Sequence, residues 1–133
     1  MSLSRILEPE GWPRPSGYSN GVLAQGRQVF IAGQVGWNPR SGQFESERLV
    51  DQVTQALKNV LAVLAQADGR PEHIARMTWY LTSRADYLAN LKEIGATYRE
   101  VMGKHFPAMT AVEVSALIEA QAKVEIEATA VIP

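Results

Sequence analysis

The sequence predicts an α+β domain whose strands and helices follow in the order ββαβαββ. Three observations carry that prediction. Two apolar stripes recur every three or four residues, the period of one helix face: Val50, Val53, Leu57, Val60 and Leu64, then Tyr87, Leu91, Ile94, Tyr98 and Val101. The last segment alternates Val124, Ile126, Ala128 and Ala130 with Lys123, Glu125, Glu127 and Thr129, as a half-buried strand does. Short apolar runs rich in β-branched and aromatic residues, bounded by Gly and Pro, supply the remaining strands.

Taken in order, residues 1–16 read as an extended N-terminal arm, because Gly11-Trp12-Pro13-Arg14-Pro15-Ser16-Gly17 is dense in residues that fix or free the backbone. Tyr18 to Gln25 and Gln28 to Val35 read as two strands separated by Gly26-Arg27, the spacing of a tight hairpin. Asn38-Pro39-Arg40-Ser41-Gly42 is turn chemistry before the first helix, which ends near Asp68-Gly69. Pro71 opens a short turn ahead of a third strand, Ile74 to Leu81. Ser83 with Asp86 three residues on resembles a capping box for the second helix, and Gly103 is its terminator. Met109 to Val114 and Ala122 to Ile132 close the order as strands four and five.

Two amphipathic helices cover only one face of a five-stranded sheet. The other face mixes Glu125 and Glu127 with apolar neighbours. It is too polar for a dry core and too apolar to stay bare, so it is expected to contribute to a subunit interface.

At 133 residues, 46% hydrophobic and 20% charged, the chain is read as a single domain over 1–133. Thirteen Lys and Arg against 14 Asp and Glu leave a net charge of -1 and no basic face, so nucleic acid is not an expected partner. There is no cysteine, hence no thiol nucleophile or thiolate metal site. The first ten residues lack an apolar signal run and no later stretch reaches membrane-spanning length, so a cytoplasmic protein with no membrane partner is expected. His73 and His105 stand far apart with no close acidic or histidine partner, which gives no metal-ligand spacing. Gly33-Gln34-Val35-Gly36 lacks the lysine of a phosphate loop and opens onto a turn. No cofactor is therefore expected.

Several motifs, in order, resemble the RidA-like or YjgF family. Gly17-Tyr18-Ser19-Asn20 stands for the family's PYSQ and Ile31-Ala32-Gly33-Gln34 for its SGQ, and Asn59-Val60-Leu61-Ala62-Val63-Leu64 closes the first helix. Thr78-Trp79-Tyr80-Leu81, Phe106-Pro107-Ala108-Met109 and Val124-Glu125-Ile126-Glu127-Ala128 follow, so the resemblance spans Ser16 to Val131. It implies a chorismate-mutase-like (YjgF-like) fold and a barrel-like homotrimer whose small-molecule clefts lie between subunits. It also implies hydrolysis of reactive enamines and imines to keto acids and ammonia.

Carried over residue by residue, the resemblance names a site and its departures. In active members the arginine after Pro-Ala reads the substrate carboxylate through a planar fork of donors. Here that position is Met109, a thioether with neither charge nor donor. The serine of SGQ is Ala32, and the asparagine expected in the second helix is Gly95. Tyr18, the Gly33 backbone and Gln34 remain as ligand-binding candidates, with Glu125 where the family places the group that orients or activates water. A carboxylate taken partly out of water exchanges protons nearer neutrality, and Glu125 is the catalytic candidate.

Each residue also has a plainer reading. Glu125 and Glu127 fit the polar face of an edge strand, Met109 fits ordinary packing, and Tyr18 fits an anchor for its strand. Trp37 fits either a pocket wall or a packed turn. The leading expectation is an arginine-less RidA-like protein that binds a nitrogen-containing or carbonyl metabolite and hydrolyses it with Glu125 and water, on a ligand less acidic or larger than the usual imino acid. The alternative is a non-catalytic metabolite-binding or regulatory trimer, and a weaker one is an endoribonuclease. Arg14 and Arg76 are the basic residues considered as substitutes for the missing arginine.

Overall fold

The computed structural model describes residues 4–133. The elements are β1 (Ser4–Leu7), β2 (Gly21–Ala24), β3 (Arg27–Val35), α1 (Leu49–Ala65), a single 3-10 turn at Pro71–His73, β4 (Ile74–Leu81), α2 (Arg84–Ala89), α3 (Leu91–Met102), β5 (Ala108–Glu113) and β6 (Val124–Ile132). Four strands form a mixed sheet in the order β3-β6-β4-β5, and β1 pairs with β2 in a separate ribbon. The α+β class is thus as the periodicity predicts, while the element order gains a strand, β1, and splits the second helix in two.

The sheet is organised around β6. Its nine residues alternate between buried and half-buried, with Val124, Ile126, Ala128, Ala130 and Ile132 facing the core. β3 and β4 both flank it antiparallel, and β5 adds to β4 in parallel. α1 lies across β3 and β6 and beside α3. Its predicted stripe is the buried one: Val53, Leu57, Val60 and Leu64 are all fully buried. Each such side chain contributes roughly 1.5–3 kcal/mol through lost apolar surface.

Four expectations are corrected. β2 and β3 do not form a hairpin, because Arg27–Val35 pairs with β6 from Arg27 opposite Ile132 onward. A ladder of seven paired positions to β6 offers more hydrogen bonds and apolar contact than a hairpin with the four-residue β2 would. At the junction Gly26 adopts φ 150° against the Ile132 carbonyl, where a Cβ would collide with backbone. The released β2 pairs instead with Ser4–Leu7, inside the segment expected as an arm, leaving four strands in the main sheet. The Pro-rich part, residues 8–16, carries no helix or strand.

The second predicted helix is two. Ser83 accepts a hydrogen bond from the Asp86 amide (3.1 Å), as a cap should. The Asp86 carboxylate accepts from Asn90 Nδ2 (2.9 Å), and Asn90 also donates to the Asp86 carbonyl. That side chain competes with the helical backbone and ends α2 at Ala89.

Two buried polar residues on α1 fix the strand ends that flank the candidate catalytic carboxylate. Asn59 donates to the carbonyls of Val35 (3.1 Å) and Trp37 (3.0 Å), where β3 ends. Gln52 accepts from the Lys123 amide (2.8 Å) and donates to the carbonyls of Ser46 and Gln121, holding the start of β6.

Candidate functional site

The sequence candidates fall into two groups on opposite faces of the sheet. β6 sends Ile126 into the helix-covered core and Glu125 and Glu127 to the uncovered face. On β4, Met77 and Trp79 are core residues, and on parallel β5 Met109 stands in register with Met77. Met109 therefore belongs to the helix side and Glu125 to the other.

On the helix side, Tyr18, Gly95 and Met109 line one cleft of ≈ 810 Å³. Tyr18 reaches it because Ser19, itself buried, is bound in place beside β5. Its amide donates to the Pro107 carbonyl (3.0 Å) and its hydroxyl to the Phe106 carbonyl (2.5 Å). The wall is aromatic: Tyr98 stacks on Phe106 with centroids 5.6 Å apart, and Trp79 meets Tyr87 and Tyr98 at 6.4 Å each. Burial pushes the hydroxyls of Tyr98 and Tyr87 above the usual phenol range. The Tyr98 hydroxyl donates to the His105 carbonyl (2.6 Å), so it is occupied in the fold.

Two cations share this cleft that sequence reasoning passed over, Lys92 and Arg99. A Cβ built on Gly95 would lie 3.4 Å from an Arg99 guanidinium nitrogen, so that side chain lies along the bare helix surface one turn before it. The i, i+4 spacing of Gly95 and Arg99 was the available signal. Arg76 instead lines a shallow depression of the uncovered face with Ala32, Phe30 and Glu127.

On the uncovered face the Glu125 carboxyl group lies against the backbone of Gly33, with its Cγ and Cδ 2.8 Å from where a Cβ would stand. Gln34 donates to the Ala32 carbonyl (3.1 Å) through a local bend, where the β3 to β6 register shifts between Ile31 and Gln34. Tyr80 donates to Glu127 (2.5 Å), and that hydrogen bond raises the Tyr80 phenol above its ordinary range. Phe30 is 75% exposed on this side.

The remaining candidates serve the fold. Trp37 packs on Phe44 with centroids 5.9 Å apart. His73 Nδ1 accepts from the Arg70 amide (2.9 Å), and His105 Nε2 is hydrogen-bonded to the Ile74 carbonyl (2.7 Å). Among the described residues no helix is long and apolar enough to cross a membrane.

Comparison with known proteins agrees with this architecture. The chain is 32% identical to human 2-iminobutanoate/2-iminopropanoate deaminase over 130 residues, covering 97% of this chain and 90% of the human one. Among solved structures, the Rid family protein YyfB of Yersinia pestis superposes with a TM-score of 0.86 at 33% identity, covering 98% of this chain and 99% of that one. The serine-bound TdcF of E. coli superposes with a TM-score of 0.70 at 28% identity, covering 97% and 99%. The profile of the family described as endoribonuclease L-PSP matches residues 13–132, nearly the whole fold just described, and the chain belongs to that family, the RidA or YjgF family.

Proposed function

We propose that the protein is a homotrimeric small-molecule hydrolase acting on a C=N bond, with each working site built between two copies of the chain. The observation that carries this reading is the separation of the two candidate groups. One chain holds Tyr18, Gly95 and Met109 on one face of its sheet, and Gly33 and Glu125 on the other. A second copy laid against the uncovered face would bring its cleft to the Glu125 carboxylate and cover Phe30. Human 2-iminobutanoate/2-iminopropanoate deaminase supports the reaction class.

The chemistry needs few parts. Water attacks the imine carbon while Glu125 accepts its proton, and the nitrogen is protonated. The tetrahedral adduct then collapses with cleavage of the C–N bond, leaving a carbonyl compound and ammonia. The bare Gly33 backbone gives the carboxylate room beside the reacting carbon. Met109 cannot hold a carboxylate as a guanidinium fork would, so the smallest imino acids lose their anchor.

A second reading, a binding trimer without turnover, draws on one observation: Ala32, Gly95 and Met109 all present apolar surface where active relatives are expected to carry polar groups. The separating experiment follows ammonia release from freshly generated 2-iminopropionate and 2-iminobutyrate by the native protein, Met109→Arg and Glu125→Gln, with sedimentation to count chains. Expected is a trimer, weak native acceleration, a gain in Met109→Arg, and loss in Glu125→Gln of whatever activity its parent has. A monomer, or activity indifferent to Glu125→Gln, would overturn the proposal.

A further inference from the structure

We infer that Arg99 is the anion-reading residue of the Met109 cleft, and that the cleft takes a carboxylate carrying a large apolar or aromatic body. This inference rests on the cleft proposed above and names its substrate class.

The charge is in the right place. Arg99 and Lys92 line the same cleft as Met109, and among the described residues neither forms an ion pair, since the ion pairs present engage Arg48 and Arg70. A solvated arginine beside an apolar wall is available to a ligand in a way that a paired one is not. Gly95 leaves the helix surface beside it bare: the guanidinium runs along the helix 3.4 Å from where a Cβ would be, a contact that a small side chain would fill and a longer one would contest. An asparagine at position 95 would occupy that path.

The wall argues for the body of the ligand. Trp79 and Tyr98 are buried and back the cleft with a packed aromatic layer, while Tyr18, Tyr87, Phe106, Met109 and Ala111 give its lining an aromatic and apolar character that suits a large apolar body. Trp79 is 1% exposed, and its indole N–H is the one buried side-chain donor among the described residues with no acceptor. That donor is sealed in the packed layer and is a cost to the fold. Cation and aromatic lining together match an aryl-bearing 2-oxo or 2-imino acid better than a two- or three-carbon one.

The test uses the native protein and two stable probes of nearly equal shape, phenylpyruvate and the uncharged phenylacetone, titrated calorimetrically. Native protein is expected to bind phenylpyruvate at least tenfold more tightly than phenylacetone. Arg99→Gln should weaken phenylpyruvate at least tenfold and leave phenylacetone within twofold, with Arg99→Lys between. Equal binding of the two probes by native protein, no binding of phenylpyruvate, or an unchanged Kd in Arg99→Gln would each overturn the inference. Turnover of 2-imino-3-phenylpropanoate, generated in place from phenylalanine by an amino acid oxidase, separates the two proposals. Arg99-dependent binding without turnover would retain this inference and remove the hydrolytic one. Turnover indifferent to Arg99→Gln would do the reverse.

Discussion

Replacing Gly33 with alanine sets stability against the activity proposed for Glu125. The new Cβ would overlap Oε2 of Glu125 and stand 2.8 Å from both its Cγ and Cδ. Non-bonded heavy atoms settle at about 3.5 Å, so the carboxyl group must retreat by more than about 1 Å. The group that moves is the end of a flexible side chain, half-buried on an uncovered face, so the fold absorbs the shift cheaply. Gly33 has no positive φ, and alanine there removes freedom from the unfolded chain, worth about 0.4–1 kcal/mol in favour of the variant. A displacement of about 1 Å at a reacting group is enough to cost about 10²-fold in rate, or about 2.7 kcal/mol of barrier. The expected result is a Tm unchanged or raised by a few degrees, with kcat/KM on 2-imino-3-phenylpropanoate about 100-fold lower. The assays are a thermal melt and ammonia release. Full activity at an unchanged melt would show that the position of the Glu125 carboxylate does not matter and would refute the reasoning.

Asn59→Leu keeps the branching of the side chain, adds some buried volume, and leaves the carbonyls of Val35 and Trp37 without donors; at about 1–3 kcal/mol for each acceptor, urea denaturation should show a loss of about 2–6 kcal/mol, and a loss under 1 would show that the end of β3 is held by something else. Tyr98 keeps its proton above the usual phenol range because it is buried. Below about pH 10 both folded and unfolded states are protonated and pH has no effect through this residue, whereas above it the unfolded chain releases the proton first and stability falls, by up to about 1.4 kcal/mol per pH unit. Tyr98→Phe should lose about 1 kcal/mol at neutral pH with its bond to His105, yet show a shallower alkaline decline in chemical denaturation; an unchanged alkaline slope would contradict the assignment.

What was legible in the sequence is what periodicity encodes. The α1 stripe and the alternation of β6 depend only on which side of an element meets apolar neighbours, and both stand as predicted. Pairing was not legible, since Gly26-Arg27 has hairpin spacing whether or not β3 has a longer partner elsewhere. That partner lies almost a hundred residues away, at the end of the chain. The break at Asn90 was hidden for a related reason: the apolar stripe continues through it, and only the side-chain bonds to Asp86 reveal the stop.

The candidate site was half legible. Motif order places Tyr18, Gly33, Met109 and Glu125 on the strands and loops that carry them, but not on which face each stands. Arg99 was hidden because an arginine on an exposed helix face is ordinary, and only its lie along Gly95 makes it part of a cleft. Gly95 and Met109 then read as one change instead of two losses. Against the pattern that the resemblance implies, one wall lacks a charge at Met109, and the bare helix surface at Gly95 leaves Arg99 in contact on the facing wall. On the inference drawn above, the cleft keeps a cation for an anion, carried by α3 and not by β5. A carboxylate held by Arg99 would sit farther from β5 than one held at position 109, and the vacated apolar space beside Met109 is where the body of a larger substrate would lie.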